Sequence, residues 1–267
     1  MAAAEAAGSM LRDRFRASLT VRTKDMSGDV VTELDLAAEE IVLGRLRDHF
    51  PYDSILSEEA GLLDGAGPRT WLVDPLDGTN NVAVGLPAYV VGIALCVAGA
   101  PVLGVVHEPL TGRTWHAVSG HGAHAASGPL NGPDGKLPAP ARSSPGPRVT
   151  RSGAVTPGLP PCASIWNCGA AGCCSCGPAA RLVHARQGTI DGFVGYRAEG
   201  IDLPAGALLA AEAGVQLRTL RGEVFRPGFT GSGADRCFVA ARADVLDYLL
   251  GQVAAVTGRS AARPEVS

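Results

Sequence analysis

Trp71-Leu72-Val73-Asp74-Pro75-Leu76-Asp77-Gly78-Thr79-Asn80-Asn81 decides how the rest of the chain is read. Trp71 to Val73 is a short apolar run and reads as a buried strand. It delivers two carboxylates, Asp74 and Asp77, into a tight turn, and Gly78-Thr79 then opens a helix. Two acids at the end of a strand make an oxygen-rich site for a hard cation such as Mg²⁺. Backbone N–H groups at a helix start suit a phosphate. Cation and phosphate sites side by side point to metal-assisted phosphate chemistry. Pro75 fixes its φ and lacks a donor, so the backbone between the acids is stiff. The Leu76 carbonyl is left as a further oxygen ligand.

Upstream, residues 2–20 read as a helix. A second helix is better marked. Thr32-Glu33-Leu34-Asp35 fits a capping box with Thr32 as N-cap, and Asp35 lies in the first turn, where negative charge is favoured. Ala38, Val42, Leu46 and Phe50 follow four apart and form one apolar stripe. Ser54 to Ser57 reads as a strand ending in Glu58-Glu59. Residues 62–69 read as a Gly-rich loop. Downstream, Tyr89 to Val97 and Pro101 to His107 form a hairpin about Ala98-Gly99-Ala100, continued by Thr114 to Val118. The N-terminal half is thus helix, helix, then a mostly antiparallel sheet.

Residues 127–161 carry Pro and Gly too densely for a regular element. Pro178 to Gln187 reads as a helix closed by Gly188. Asp202 to Ala213 is a clear helix, with Asp202 as cap, Pro204 in the first turn and Gly214 at C′. Cys237 to Ala241 reads as a buried strand and Asp244 to Val256 as a closing helix.

The 267 residues suffice for one large unit or two small ones sharing a core. We divide the chain at 142/143 within one continuous unit. Residues 1–142 carry most of the acids, and residues 143–267 carry Asp202 and the substrate side. A net charge of −3 argues against a polybasic nucleic-acid surface. The N-terminus lacks the basic segment and apolar core of a signal peptide. The longest apolar stretch, Ala88 to Ala98, is too short for a bilayer. The seven cysteines are odd in number, and Cys173, Cys174 and Cys176 crowd together. That pattern does not resemble a secreted disulfide framework, so a reducing cytoplasm is expected.

Asp35, Glu58 with Glu59, Asp74 with Asp77, and Asp202 each stand where an element starts or stops. Any one alone would be a helix cap or a solvated turn. Gathered in one place they would raise each other's pKa, and bound divalent cations remove that conflict.

These residues carry a resemblance to the inositol monophosphatase family of Mg²⁺-dependent phosphatases, within the fructose-1,6-bisphosphatase-like group. The matching motifs are Lys24 with Gly28-Asp29 and Thr32 to Asp35, Ser57-Glu58-Glu59, Trp71 to Asn81, and Asp202 to Gly206 with Glu212-Ala213-Gly214. Their order fits over about residues 20–250. Weaker matches are Gly104 to His107, Gly120 to Ala123 and Gly177 to Ala180. The resemblance implies an α+β fold, a layered αβαβα sandwich, and a hydrolase using two or three Mg²⁺ ions. It implies that Glu58, Asp74 and the Leu76 carbonyl hold one metal, and that Asp74, Asp77 and Asp202 hold a second. Thr79, hydrogen-bonded to Asp35, would orient the attacking water. Asp77, Gly78, Thr79, Ala179 and Asp202 would meet the substrate and its phosphate. Lys24 would support the acids near Glu58. A homodimer is implied too, with no nucleic-acid or membrane partner.

The chain departs from the family at Val82 and Ile201, both packing positions, and at Gly195, where inositol phosphatases commonly place a hydroxyl-binding Glu. Inositol monophosphate is therefore a default substrate within small polyol or sugar phosphates. Histidinol phosphate, a 3′-phosphoadenosine-type nucleotide and a phosphorylated intermediate of a specialised pathway are the alternatives. A regulatory or scaffold protein with residual activity is the alternative from another class. The Cys162, Cys168, Cys173, Cys174 and Cys176 group lacks two separated CxxC pairs and reads as small buried residues rather than a metal site. His107, His116, His121 and His124 show no ligand spacing. His184, in the helix after Gly177, could approach the substrate.

Overall fold

The computed structural model describes residues 1–15, 20–23, 30–130, 149–152, 192–195, 198, 200–227 and 236–261, with the backbone alone for 149–152 and 256–261. Lys24, Gly28, Asp29, Ala179, His184, the helix expected at 178–187 and the cysteines from Cys162 to Cys176 lie outside the described residues.

Five layers follow from where apolar side chains meet. Helices α1 (Ala2–Arg14) and α2 (Glu33–His49) form the first, and the short strands β1 (Val21–Thr23) and β2 (Val30–Thr32) pair between them in sequence. Ala4, Ala7, Leu11, Ala38, Val42 and Leu46 of the helices pack on Ile55, Val73, Val91 and Val105 of an eight-stranded sheet. That sheet contains β3 (Ser54–Ser57), β4 (Gly61–Leu63), β5 (Arg69–Asp77), β6 (Val90–Val97), β7 (Ala100–Glu108), β8 (Arg113–Val118), β9 (Ala123–Ala125) and β10 (Gly128–Pro129). Its other face, with Leu72, Ala94, Val106 and Trp115, receives Ala205, Leu208 and Leu209 of α4 (Leu203–Glu212). Leu203, Ala207 and Ala210 of the same helix pack on a second sheet through Phe193 and Phe238. That four-stranded sheet is made of β11 (Val149–Ser152), β12 (Gly192–Gly195), β13 (Gln216–Thr219) and β14 (Phe238–Ala241). Its far face is covered by Val245, Leu246 and Leu249 of α5 (Ala243–Ala261). The α+β, αβαβα sandwich expected from the sequence is the observed architecture.

A helix clamped between two sheets needs small residues. Gly104 on β7 meets this demand: a Cβ there would stand 2.7 Å from the Ala205 carbonyl oxygen. The hairpin at Ala98-Gly99 has positive φ at both residues, 49° and 80°, as a two-residue turn with right-handed twist requires.

Several boundaries differ from the sequence reading. The first helix stops at Arg14 rather than running to residue 20. Gly61–Leu63 is a short strand pairing with β3, not part of a loop. Phe50 is not on the buried stripe of α2. It is exposed past the helix end, and its ring lies 5.0 Å from that of Trp71. The stretch 127–161 contains two short strands, Gly128–Pro129 and Val149–Ser152.

Candidate active site

The site is built where parallel strands end. β3 and β5 run parallel with Ser57 opposite Val73, and the Glu58 N–H donates to the Val73 carbonyl at 3.2 Å. The next residues along each strand, Glu58 and Asp74, are therefore neighbours at the carboxyl ends, the usual location of α/β sites.

In a regular strand, residues three apart face opposite sides. Asp74 pairs with Gly92 and Asp77 with Val90, so β5 advances three residues while β6 advances two. This bulge falls on Pro75-Leu76, and Pro75 has no ladder donor to lose. The burial pattern shows the same change of phase. Val73 and Leu76 both join the core under α1 and α2. Asp74 and Asp77, each adjacent to one of them, consequently share the α4 side of the sheet. The extra residue is what turns two acids three apart into a pair.

Asp202 enters from the start of α4. It stands at the N-cap position but makes no side-chain capping hydrogen bond, unlike the cap expected of it. The Asp74 carboxyl is held well above the usual carboxylate range, first by burial, then by the charges of Asp202, Glu58 and Asp77. A hydrogen bond from the Leu76 N–H to Asp74 Oδ1, at 3.0 Å, opposes that rise. Glu58 after β3, Asp77 on β5 and Asp202 before α4 thus all lie near enough to act on the charge of Asp74. Among the described residues, no group of three or more His, Cys, Asp or Glu side chains is arranged to hold an ion as it stands. The donors that surround Asp74 are carboxylate oxygens, with the Leu76 carbonyl next to them. This all-oxygen set fits a hard divalent cation and is a poor match for softer ions.

The opposite side of the turn is hydrogen-bonded throughout. Asp35 is buried and closes the capping box of α2, its Oδ2 accepting from the Thr32 N–H (2.8 Å) and hydroxyl (2.6 Å). Its Oδ1 lies 2.6 Å from Thr79 Oγ1, which also lies 3.0 Å from the Leu76 carbonyl. A hydroxyl has one proton, and the shorter, charge-assisted contact to Asp35 takes it. The Thr79 lone pairs are then directed to accept from another donor. Gly78 precedes Thr79 with φ 112°, and a Cβ there would lie 2.8 Å from the Ala88 carbonyl, so only glycine serves. The helix it opens, α3 (Thr79–Ala83), is five residues long.

Glu39 and Asn81 escaped the sequence reading as contributors to the local frame. Glu39 is buried on α2, one turn after Asp35, and binds the Ser57–Ala60 segment. The available signal was its spacing of four from Asp35. Asn81 Nδ2 donates to the Ala88 carbonyl at 2.7 Å and braces the loop after α3. Gly195 lies under an aromatic ring: a Cβ there would come within 2.3 Å of Phe238 Cε1, in the opposing register position. Phe238 in turn stacks on Phe225 with centroids 4.8 Å apart. His116 and His124 oppose each other across two strands, with rings stacked 5.5 Å apart. Burial and its neighbour His124 hold the His116 pKa down.

The sequence profile of the inositol monophosphatase family matches residues 1–257. An inositol-1-monophosphatase of Mycobacterium leprae is 33% identical over 258 residues, covering 86% of this chain and 80% of that protein. The Nus factor SuhB of Escherichia coli is 30% identical over 224 residues, covering 79% and 80%. A histidinol-phosphatase of Streptomyces coelicolor is 46% identical over 126 residues, covering 45% and 46%. The chain thus spans about half the length of this relative and, at 48%, of a tomato inositol monophosphatase. Among solved structures, an IMPase of Thermotoga maritima aligns with a TM-score of 0.77 at 23% identity, covering 97% and 96% of the two chains. An extragenic suppressor protein suhB of Bartonella henselae aligns at 0.75 and 27% identity, covering 94% and 95%. The chain belongs to the inositol monophosphatase family.

Proposed function

From that membership we propose a Mg²⁺-dependent phosphate monoester hydrolase acting on a small polyol or sugar phosphate. The observation that carries the reading is the Asp74 carboxyl, pushed up by burial and by Asp202, Glu58 and Asp77 around it. Glu58, Asp74, the Leu76 carbonyl, Asp77 and Asp202 would hold the cations, two or three in number. A divalent cation there supplies charge neutralisation for the phosphate and makes a nearby water more acidic.

The remaining work falls to the chain itself. Thr79 Oγ1 accepts a hydrogen bond from the attacking water and orients it, because its own proton is committed to Asp35 Oδ1. Asp35 is fixed in turn by Thr32, so the pair does not swing. The phosphate would lie by the N–H groups of Gly78 and Thr79. Phosphoryl transfer needs mainly such positioning and charge compensation. The division into 1–142 and 143–267 follows the same reading, with Asp202 contributed by the C-terminal segment. A cytoplasmic homodimer belongs to the proposal as well. Among the described residues no helix is long and apolar enough to cross a membrane.

A second reading, histidinol phosphate as substrate, is favoured by one observation. The Phe238 ring occupies the space that a side chain at Gly195 would need, so no carboxylate for a polyol hydroxyl can stand there. The partial match to a histidinol-phosphatase agrees with it.

Phosphate release from inositol, sugar, nucleotide and histidinol phosphates, compared by kcat/KM with Mg²⁺, tests both. Activity that Asp74→Asn abolishes supports the hydrolase. Wild type and Asp74→Asn equally inactive on every ester would favour a scaffold instead.

A further inference from the structure

Glu39 is a buried acid that the proposed chemistry does not use. Its Oε1 accepts hydrogen bonds from the backbone N–H groups of Glu59 (3.1 Å) and Ala60 (3.0 Å) and from the Ser57 hydroxyl. All three donors come from the segment that brackets Glu58. On the other side, the Glu58 N–H is tied to Val73.

We propose that Glu39 is a positioning residue that fixes the turn after β3, so that Glu58 stands beside Asp74 ready for a divalent cation. The inference rests on the reading that Glu58 helps hold Mg²⁺.

The argument is one of cost and geometry. Burying a carboxylate costs its hydration, and only strong donors offset that. Packing α2 on the sheet needs no acid at this position, as neighbouring Ala38 and Val42 show by packing without one. What the carboxylate adds is a single acceptor that gathers two consecutive N–H groups and a hydroxyl. The backbone on both sides of Glu58 is thereby fixed, leaving its side chain only its own rotamers. Pre-ordering of this kind removes part of the entropy loss on binding. Glu39 also follows Asp35 by four residues, about 6 Å along the helix axis. One face of α2 therefore sets the spacing between the Thr79–Asp35 pair and the Glu58 turn.

If Glu39 were only a staple between helix and sheet, its loss would lower stability and leave cation affinity alone. Asp53 provides the control. It is equally buried, lies just before β3, and accepts from Arg69 Nε and Trp71 Nε1, both at 2.9 Å, without touching the turn.

The test is calorimetric titration of the full chain with MgCl₂, with and without inorganic phosphate, together with the Tm rise that Mg²⁺ produces. Wild type, Glu39→Ala, Glu39→Gln, Ser57→Ala, Glu58→Gln and Asp53→Asn are compared. Glu39→Ala should raise the Mg²⁺ Kd about tenfold, the lower end for loss of a ligand-orienting partner. Glu39→Gln keeps an acceptor and should rescue most of the affinity. Asp53→Asn should lower Tm with Kd unchanged. Should Glu39→Ala not fold, Ser57→Ala still decides, and it is expected to weaken Mg²⁺ binding measurably. Unchanged Kd in Glu39→Ala, or in Ser57→Ala where Glu39→Ala does not fold, or an equal change in Asp53→Asn, overturns the proposal while the cation site survives. Wild type taking up no Mg²⁺, or Glu58→Gln binding it normally, overturns the site reading and this inference together.

Discussion

Asp35 and Asp202 occupy similar places in the chain and opposite electrostatic situations. Both stand at the start of a helix, and the two helices lie on opposite faces of the same sheet. Asp35 is surrounded by donors from Thr32 and Thr79. Asp202 makes no capping bond and is, after burial, the leading cause of the raised Asp74 carboxyl. Place in a helix does not determine what an acid does; the donors or charges facing it do. One side of the site is already satisfied by protein hydrogen bonds. The other is a concentration of like charge that calls for a cation.

The sharpest way to break this contrast is Asp74→Asn, the group on which the other charges act. Phosphate release should fall by roughly 10³-fold or more, the scale of losing a preorganised electrostatic contact. A loss below tenfold at saturating Mg²⁺ would remove Asp74 from the centre. Thr79→Ala tests the satisfied side and should cost about 10²-fold in kcat with little change in Mg²⁺ affinity, in the range of lost acid–base assistance.

Stability without Mg²⁺ should separate the two acids in sign. Asp35→Asn should destabilise by about 1 kcal/mol or more, since it weakens a cap and a charge-assisted bond together. Asp202→Asn should stabilise the metal-free protein, because it removes repulsion from a buried carboxylate. Denaturant unfolding in EDTA reads both, and destabilisation of equal size by both variants would erase the comparison.

Gly104→Ala should shift α4 away from the sheet and lower Tm, with an overpacking cost of about 1–3 kcal/mol. It should weaken Mg²⁺ binding only through Asp202, so a double variant with Asp202→Asn should show no further loss of affinity.

The smallest expected effect is on pH dependence. Asp74 has a folded pKa above its ordinary 3.8, so the folded state holds a proton that the unfolded chain releases earlier. Its contribution to stability is full below the ordinary value and is lost as pH rises through the raised one. Unfolding curves of metal-free protein from pH 3.5 upward should show this decline, and Asp74→Asn should flatten it. Mg²⁺ should stabilise more at the alkaline end, where it no longer displaces a proton.

Where local chemistry suffices, the sequence is legible. The capping box at Thr32 and Asp35, the Asp74–Thr79 turn and the apolar strands through Val73 and Ile93 all follow from neighbours in the chain. The layered sandwich follows from the resemblance those motifs carry. The failures depend on distant partners. Glu39 sits beside exposed Glu40 and looks like one more polar position on the helix until Ser57, Glu59 and Ala60 arrive to cover it. Asp202 looks like a cap because the acids competing for its attention come from strands far earlier. Gly61–Leu63 has no strand character alone and gains it from pairing with β3. Phe50 continues the apolar spacing but lies past the helix end, where Trp71 offers a flatter surface.

The bulge at Pro75-Leu76 makes this segment intolerant of a different kind of change from substitution. Most loops absorb an insertion or deletion without harm. Here the register count itself holds information: with the bulge in place, one codon gained between the two aspartates would send Asp77 through to the helical face beneath α2. The segment's length should therefore be more tightly constrained than the identity of the Leu76 side chain.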